Sequence, residues 1–482
     1  MKRKFVTNLI LLLFLNLLIK PFWIFGIDRT VQNMVGAESY GLYFSLLNFS
    51  LLLNILLDLG ITNFNNRNIA QNSHLLKKSL TNIVGVKFLL AVVYAVVCLL
   101  TAALIGYNKL QLHLLLFLIF NQFLISFTLY LRSNISGLHL FRTDSLLSVL
   151  DRSLMIVFCS LLLFTPRLAE TFSISWFVYA QTAAYVLTAI ITYLTVLHYA
   201  GTFRMRLDWH NIRLTLKQSF PYALLILLMA FYNRIDSVLL ERLLPGSLGK
   251  EQAGIYAQAF RLLDALAMFG ALFAGLLLPI FARMIKQGEN PSPLVQFAFR
   301  LLIVPAILVA VASIFYAQPI MSLLYHEHIE LSAPLLGILM TGFTGIATTY
   351  IFGTLLTANG SLKQLNQMAL AGVVLNVSLN LLLIPQLQAL GSAYASLTTQ
   401  LLTAMAQVVI ATRLFQFKVD YLLLLKLLGF VLFCILAAKA SLFLNDRLLG
   451  FALLLLSGVA YAFLSRLISI KAFVVILKDQ TK

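Results

Sequence analysis

Along this chain, long apolar runs alternate with short polar clusters, and the alternation repeats fourteen times. The runs lie near 7–28, 40–63, 80–106, 110–132, 145–165, 172–198, 219–244, 252–282, 298–317, 332–358, 365–385, 388–413, 422–445 and 448–470. A helix needs about 20 largely apolar residues to cross the hydrocarbon core of a bilayer, so each run predicts a transmembrane α-helix. The longest gaps, 199–218 and 283–297, are loop-sized and leave no room for a soluble domain. The first gap holds a candidate interfacial helix at Leu207-Asp208-Trp209-His210-Asn211-Ile212. The N-terminus, Met1-Lys2-Arg3-Lys4 before an apolar run, superficially resembles a secretory signal. No small-x-small cleavage site follows, and the run continues through Lys20-Pro21-Phe22-Trp23, which predicts an uncleaved first span.

Composition agrees with the pattern. Of 482 residues, 61% are hydrophobic and 11% charged, and the mean hydropathy is +0.93. Soluble chains carry about 25% charged residues, so an ordinary cytosolic enzyme, a disordered protein and a secreted disulfide scaffold are excluded. Cys98, Cys159 and Cys434 lie in apolar runs without CxxC spacing and predict free thiols.

The net charge of +18, from 35 Lys+Arg against 17 Asp+Glu, would suggest a nucleic-acid partner in a soluble domain. Its distribution removes that reading. With the N-terminus in the cytoplasm and fourteen spans, the cytoplasmic segments together carry +18, the outer loops −2 and the spans +2. This is the imprint of membrane insertion, with both termini cytoplasmic. No nucleic acid is expected as a partner.

An internal repeat follows the count. The end of the first span reads Ile27-Asp28-Arg29-Thr30-Val31, then Val35-Gly36, then Tyr40-Gly41-Leu42-Tyr43. The end of the seventh reads Arg234-Ile235-Asp236-Ser237-Val238, then Pro245-Gly246, then Ala253-Gly254-Ile255-Tyr256. Each opens a six-helix half in the same orientation, the pattern of a transporter built from two parallel repeats. The expected architecture is an all-α integral membrane protein of about fourteen helices. It has two pseudo-symmetric six-helix lobes, 1–205 and 206–415, and a C-terminal helix pair, 416–482.

At Arg234-Ile235-Asp236 before Gly254-Ile255-Tyr256-Ala257, and at Thr357-Ala358-Asn359-Gly360 before Asn376, Asn380, Pro385 and Gly391-Ser392-Ala393, the sequence resembles a family. It is similar to polysaccharide flippases of the MOP exporter superfamily, nearest to the Wzx-type flippases of O-antigen (lipopolysaccharide) and capsule repeat units. The resemblance implies a two-lobed alternating-access transporter in the bacterial inner membrane. Its implied cargo is an undecaprenyl-diphosphate-linked oligosaccharide, moved from the inner to the outer leaflet. Membrane lipids and glycan polymerase or assembly proteins are the implied partners, and the last helix pair is implied to carry a groove for the lipid tail.

Ten charged residues fall inside the spans: Lys20, Asp58, Lys87, Asp151, Arg152, Arg234, Asp236, Arg261, Asp264 and Lys439, with Arg29 at the outer end of the first. Each costs roughly 2.5–3.5 kcal/mol at a helix centre, so most must face protein or a water-filled cavity. Asp58, Lys87 and Lys439 are near enough to the interface to be structural. Arg261 and Asp264, at i and i+3, are placed to neutralise each other. Asp151 and Arg152 are adjacent and point in different directions, so that pair calls for partners on other helices. The basic excess suits a diphosphate, because arginine donates in a planar fork matched to phosphate oxygens. The candidate phosphate-binding residues are Arg234, Arg152 and Arg261, then Lys20 and Arg29, then Lys87. Amides inside the spans either bind sugar hydroxyls or hold helices together; Asn376 and Asn380, on one face at i and i+4, favour holding helices together.

Enzymatic signatures are absent: no GxSxG, Walker A, HExxH or CxxC pattern occurs. His326-Glu327-His328 falls in an expected outer loop and reads as solvated, so no metal or other cofactor is expected. Transport would then draw on an ion gradient, the membrane potential or consumption of the product. Asp236, Asp264, Asp151 and Asp58 are the candidates for H+ or Na+ coupling. The alternatives are a peptidoglycan-precursor (lipid II) flippase of the MurJ type and an ion-coupled MATE-like exporter of small molecules. A membrane-embedded glycan polymerase or ligase would need a large catalytic loop that the spans leave no room for.

Overall fold

The structure is a computed structural model that describes residues 14–16, 18–62, 65, 69, 74, 76–138, 140–201, 209–418 and 420–468. The basic segment 2–4, most of the segment 67–78, the last residues from 469 and the start of the expected interfacial helix, Leu207 and Asp208, lie outside the described residues. The described residues hold helices and no strands. Inside a bilayer no water is present to pair free backbone groups, so helices that satisfy their own N–H and C=O groups are the natural solution for such a chain.

Twelve helices among the described residues are long and apolar enough to cross a membrane. They are α2 (Leu76–Ile105), α3 (Lys109–Gly137), α4 (Phe141–Phe164), α5 (Ile174–Ala200), α6 (Trp209–Leu243), α7 (Gly246–Lys286), α8 (Ser292–Phe315), α10 (Ile329–Ala358), α11 (Leu362–Leu387), α12 (Ala389–Phe415), α13 (Tyr421–Ser441) and α14 (Arg447–Leu464). Each coincides with one of the last twelve expected spans. The first expected span is only partly described, and the second is α1 (Arg29–Leu52), whose Gln32, Asn33, Glu38 and Asn48 make it more polar than the rest. A short helix, α9 (Ala317–Leu324), precedes α10.

The chain divides into two compact units, Met1–Gly254 and Ile255–Lys482. In the first, a π-helical turn, Trp23–Asp28, runs directly into α1. Gly36 breaks α1 with φ 76°, a left-handed conformation that favours glycine. Beyond this break, α1 meets the N-terminal turns of α7 backbone to backbone. A Cβ on Gly41 would lie 1.8 Å from the Lys250 carbonyl oxygen, and one on Gly254 would lie 2.0 Å from that of Ala37. Gln32 Nε2 donates to the Gly254 carbonyl at 3.1 Å. The two glycines of the repeated sequence pattern thus face each other, and their lack of a side chain is what lets the helices touch.

The end of α1 departs from the expected span 40–63. The helix stops at Leu52, a 3-10 turn covers Asn54–Leu57, and Leu59 and Gly60 take positive φ. A break at membrane depth exposes carbonyls that need donors. Lys87 Nζ donates to the Leu57 carbonyl at 3.1 Å and Ser126 Oγ does so at 3.2 Å. Within this unit α3 also packs on α5, α1 on α6, and α4 on α5. Asn65 Nδ2 donates to Ser133 Oγ at 2.8 Å and Asn134 Oδ1 at 3.0 Å, a buried amide ladder between chain segments.

The second unit is built on α10 against α8 and α12, with α11 on α12. Asn376 and Asn380 are fully buried. Asn380 Nδ2 donates to Asn376 Oδ1 at 3.1 Å, and its Oδ1 accepts from Ser392 Oγ of α12 at 2.8 Å. These amides join helices, the role their spacing favoured. The pair α13–α14 closes on α8 through Val304, Leu308, Val311, Phe430, Cys434, Ala438 and Leu454. Tyr316 Oη and Ser441 Oγ share a hydrogen bond at 2.7 Å. On its other side α13 exposes Leu425, Leu428, Leu432 and Leu436, a helical stripe suited to lipid. Cys98, Cys159 and Cys434 are buried free thiols.

Candidate functional site

Where the first span meets α3, α4 and α5, several charged groups collect beside aromatic rings. The Arg152 guanidinium of α4 lies 5.6 Å from the Trp23 ring centre and 5.9 Å from that of Tyr185. Its Nη1 reaches Met155 Sδ at 3.4 Å. Asp151 is nearer than the sequence suggested: its Oδ1 accepts the Arg152 backbone N–H at 2.8 Å, and its Oδ2 lies 3.7 Å from Arg152 Nε. The expectation that the two adjacent side chains diverge is therefore corrected, because the carboxylate folds back over its own backbone. Lys20 is within electrostatic reach of Arg152, Asp151 and Arg132. Arg132 of α3 donates to Asp144 of α4 at 2.8 Å.

Three cations, Lys20, Arg132 and Arg152, thus share one region with two carboxylates, Asp144 and Asp151. The Arg152 and Asp151 side chains keep 29% and 25% of their surface accessible. At 3.7 Å the Asp151–Arg152 approach is longer than a charge-assisted hydrogen bond. Local structure helps to hold the geometry. The π-helical turn at Trp23–Asp28 widens the first helix where Trp23 sits, a distortion frequent at functional sites. Trp23 is buried and stacks on Phe177 of α5 with ring centres 5.8 Å apart. Asn16 Nδ2 donates to Ser148 Oγ of α4 at 3.0 Å, tying the first span to the helix that carries Arg152.

The other basic candidates have different settings. Lys87 is 1% exposed and forms an ion pair with Asp58, within reach of the Tyr130 ring. Those two residues are brought together at the break after α1, with Lys87 buried and Asp58 keeping 26% of its side-chain surface accessible. Arg234 Nη1 approaches Asn48 Oδ1 at 3.5 Å, and Asn48 Nδ2 donates to Ser237 Oγ at 2.9 Å, joining α6 to α1. Asp236, two residues on, is buried. Arg29 is half-buried, beside an Asp28 that is buried and accepts from Tyr40 Oη at 2.7 Å. In the second unit, Arg261 and Asp264 lie 3.7 Å apart on α7, and Lys439 is exposed on α13.

The structure adds groups that the sequence did not single out. Arg132, at the end of the run 110–132, and Asp144, just before the run 145–165, lie inside α3 and α4. Glu241 and Arg242 lie within the expected seventh span, 219–244, but are not among the ten charges named for the spans. Glu241 is buried, accepts from Gln111 Nε2 of α3 at 2.7 Å, and lies 2.7 Å from Arg242 Nε. Arg242 sits 4.1 Å from the centre of the Tyr107 ring. Burial in the turn between α2 and α3, reinforced by the Glu241 carboxylate, pushes the Tyr107 hydroxyl well above the ordinary tyrosine range. The sequence signal for this cluster was the Glu-Arg pair inside a run otherwise long enough to span. Glu327, in the turn before α10, is engaged through its backbone, accepting from Gln258 Nε2 at 3.3 Å. Among the described residues no three His, Cys, Asp or Glu side chains gather as a metal site.

Comparison with solved structures gives the fold a context. The chain resembles the lipid II flippase MurJ in its inward closed conformation, with a TM-score of 0.70 at 13% identity over 99% of this chain and 100% of that one. An inward-facing multidrug resistance MATE family transporter of the MOP superfamily gives 0.58 at 14% identity, over 82% and 94% of the two chains. The bent form of the Vibrio cholerae MATE transporter VcmN gives 0.56 at 14% identity, over 86% and 97%. At such identities the likeness concerns the fold: a multi-pass helical architecture shared with these transporters. No curated protein matches the chain by sequence. Residues 6–285 match the family described as "Polysaccharide biosynthesis protein". That match spans more than half of the chain, and the protein belongs to this polysaccharide biosynthesis family.

Proposed function

We propose that the protein is a flippase that moves an undecaprenyl-diphosphate-linked oligosaccharide repeat unit across the bacterial inner membrane by alternating access, in the manner of Wzx-type O-antigen and capsule flippases. The observation that carries this reading is the grouping of Lys20, Arg132 and Arg152 with only two carboxylates, in a region that keeps partial access. A diphosphate brings several negative charges, and two guanidinium forks beside an ammonium match it in charge and donor geometry. The Trp23 and Tyr185 rings flank Arg152, and the lower local dielectric beside them strengthens its pull on an anion. Family membership supports a role in glycan assembly, and the full-length likeness to a lipid II flippase supports a lipid-linked cargo.

In this proposal Arg234, Arg261 and Arg29 are further stations for the diphosphate, and Lys87, already bound to Asp58, contributes least. Coupling to H+ or Na+ would run through Asp236, Asp264, Asp151 or Asp58, with no resident cofactor. The lobes are 1–205 and 206–415, with 416–482 as the tail-groove pair, both termini are cytoplasmic, and a glycan polymerase takes the product on the outer side. The test is export in a cell that lacks its own repeat-unit flippase. The wild-type chain restores surface polysaccharide, whereas Arg152→Ala and Lys20→Ala reach the membrane in normal amounts and do not. Normal export from both variants would overturn the proposal.

A second reading, a peptidoglycan-precursor flippase, is favoured by the whole-chain match to MurJ. It predicts rescue of cells depleted of their lipid II flippase. Rescue of those cells without restoration of repeat-unit export would replace the first reading with this one.

A further inference from the structure

At one end of the second unit, α9, the first turn of α10 and the first turn of α14 border an open groove of about 1030 Å³, lined among others by Gln318, Ser322, His328, Glu330 and Arg447. The turns leading into α10 and α14 lie on the same side of the bilayer, because four spanning helices, α10 to α13, separate them. The eight-residue α9 is too short to cross. It buries Met321 and exposes Leu323, as a helix lying in the interface does. The groove therefore sits where helix ends meet lipid headgroups.

Two opposite charges line this groove without meeting. Glu330 is exposed in the first turn of α10, and no hydrogen bond or ion pair engages its carboxylate among the described residues. Arg447 uses Nη1 on the Leu442 carbonyl at 3.1 Å, which fixes the side chain and leaves its other donors for a ligand. The neighbouring Asp446 is already committed to the N-terminus of α14, accepting from the backbone N–H groups of Leu448 and Leu449 at 2.8 and 3.2 Å. The rim is apolar: Leu323, Leu331 and Leu448 are all exposed.

We propose that this groove binds a zwitterionic glycerophospholipid, phosphatidylethanolamine. Its phosphate sits on Arg447, its ammonium on Glu330, and its acyl chains lie over Leu323, Leu331 and Leu448. A cation and an anion held apart across one groove suit a headgroup that carries both charges a few atoms apart. Gln318 and Ser322 supply donors and acceptors for the remaining phosphate and ester oxygens. An anionic headgroup would meet repulsion from Glu330, and a choline headgroup has no N–H to donate to it. The site is separate from the Lys20–Arg152 cluster and does not depend on what that cluster transports.

Native mass spectrometry of the full-length protein tests this, after equilibration with equimolar phosphatidylethanolamine, phosphatidylglycerol and phosphatidylcholine. The expected result is preferential retention of phosphatidylethanolamine, reduced roughly tenfold by Arg447→Gln and by Glu330→Gln. A thermal-shift series with the same three lipids is the second readout. Stabilisation specific to phosphatidylethanolamine is expected in the wild-type chain and is lost in both variants. Equal retention of the three lipids, or a preference that survives both substitutions, overturns the proposal.

Discussion

Two cationic groups within the first unit show how differently a membrane protein can use the same charge. Lys87 is sunk to 1% exposure and saturated by Asp58, the Leu57 carbonyl and Ser126. The Lys20–Arg132–Arg152 group is partly open, its Arg152–Asp151 pair is loose, and it carries one more cation than carboxylate. The first arrangement repairs a broken helix, while the second carries a net positive charge in a partly accessible region. Position at membrane depth does not distinguish them; saturation and access do.

The strongest way to break this contrast is to remove the charge on each side. Arg152→Ala is expected to lower glycan export by at least tenfold, roughly the loss of one charge-assisted contact of 1.5–3 kcal/mol, with unchanged membrane abundance. Flux measured against immunoblotted protein checks it. Lys87→Met should act in the opposite sense, by lowering abundance, because it strands the Asp58 carboxylate and the Leu57 carbonyl. Loss of one partner of a fully buried pair costs about 3–5 kcal/mol, and the partial access of Asp58 lowers the expected cost here. Export per surviving molecule should stay near wild type, and Lys87→Met with Asp58→Asn should recover part of the abundance in a thermal-melt assay.

A smaller effect sharpens the comparison. Arg152→Lys keeps the charge and loses the planar fork, so export is expected to fall between wild type and Arg152→Ala. Full activity in Arg152→Lys would mean that charge alone suffices. The smallest effect is expected at Glu241. Glu241→Gln keeps a partner for Gln111 and weakens only the approach of Arg242, which predicts a stability change of about 1 kcal/mol or less and normal export. A large loss of export there would place the Glu241–Arg242–Tyr107 cluster beside the Lys20–Arg152 group in function.

Much of the fold was legible in the residues. The apolar runs behind α2 to α8 and α10 to α14 appear as spanning helices because a length of about 20 apolar residues has one stable solution in a bilayer. The repeated glycines were visible as a pattern, although their direct contact was not. Less of the candidate site could be read. Lys20, Arg152 and Lys87 were recognisable as intramembrane cations, but much of what surrounds them comes from distant segments: Asp58 is 29 residues from Lys87, and the Trp23 ring reaches Arg152 from the first span. Arg132 and Asp144 were hidden because they sit near the ends of helices longer than the apolar runs that announced them. The unwinding after Leu52 was only weakly signalled, by Asn54, Asp58 and Gly60 among leucines and an isoleucine.

The sequence by itself determined that this chain lives in a membrane, about how often it crosses, and that it carries more charge inside than packing alone would call for. Those properties follow from hydrophobicity and length, which are local and additive. Which cation is buried against a broken helix and which lies in a partly accessible cluster depends on the packing of distant segments. Saturation of a charge is set by atoms brought together from distant segments, and no local pattern encodes that meeting.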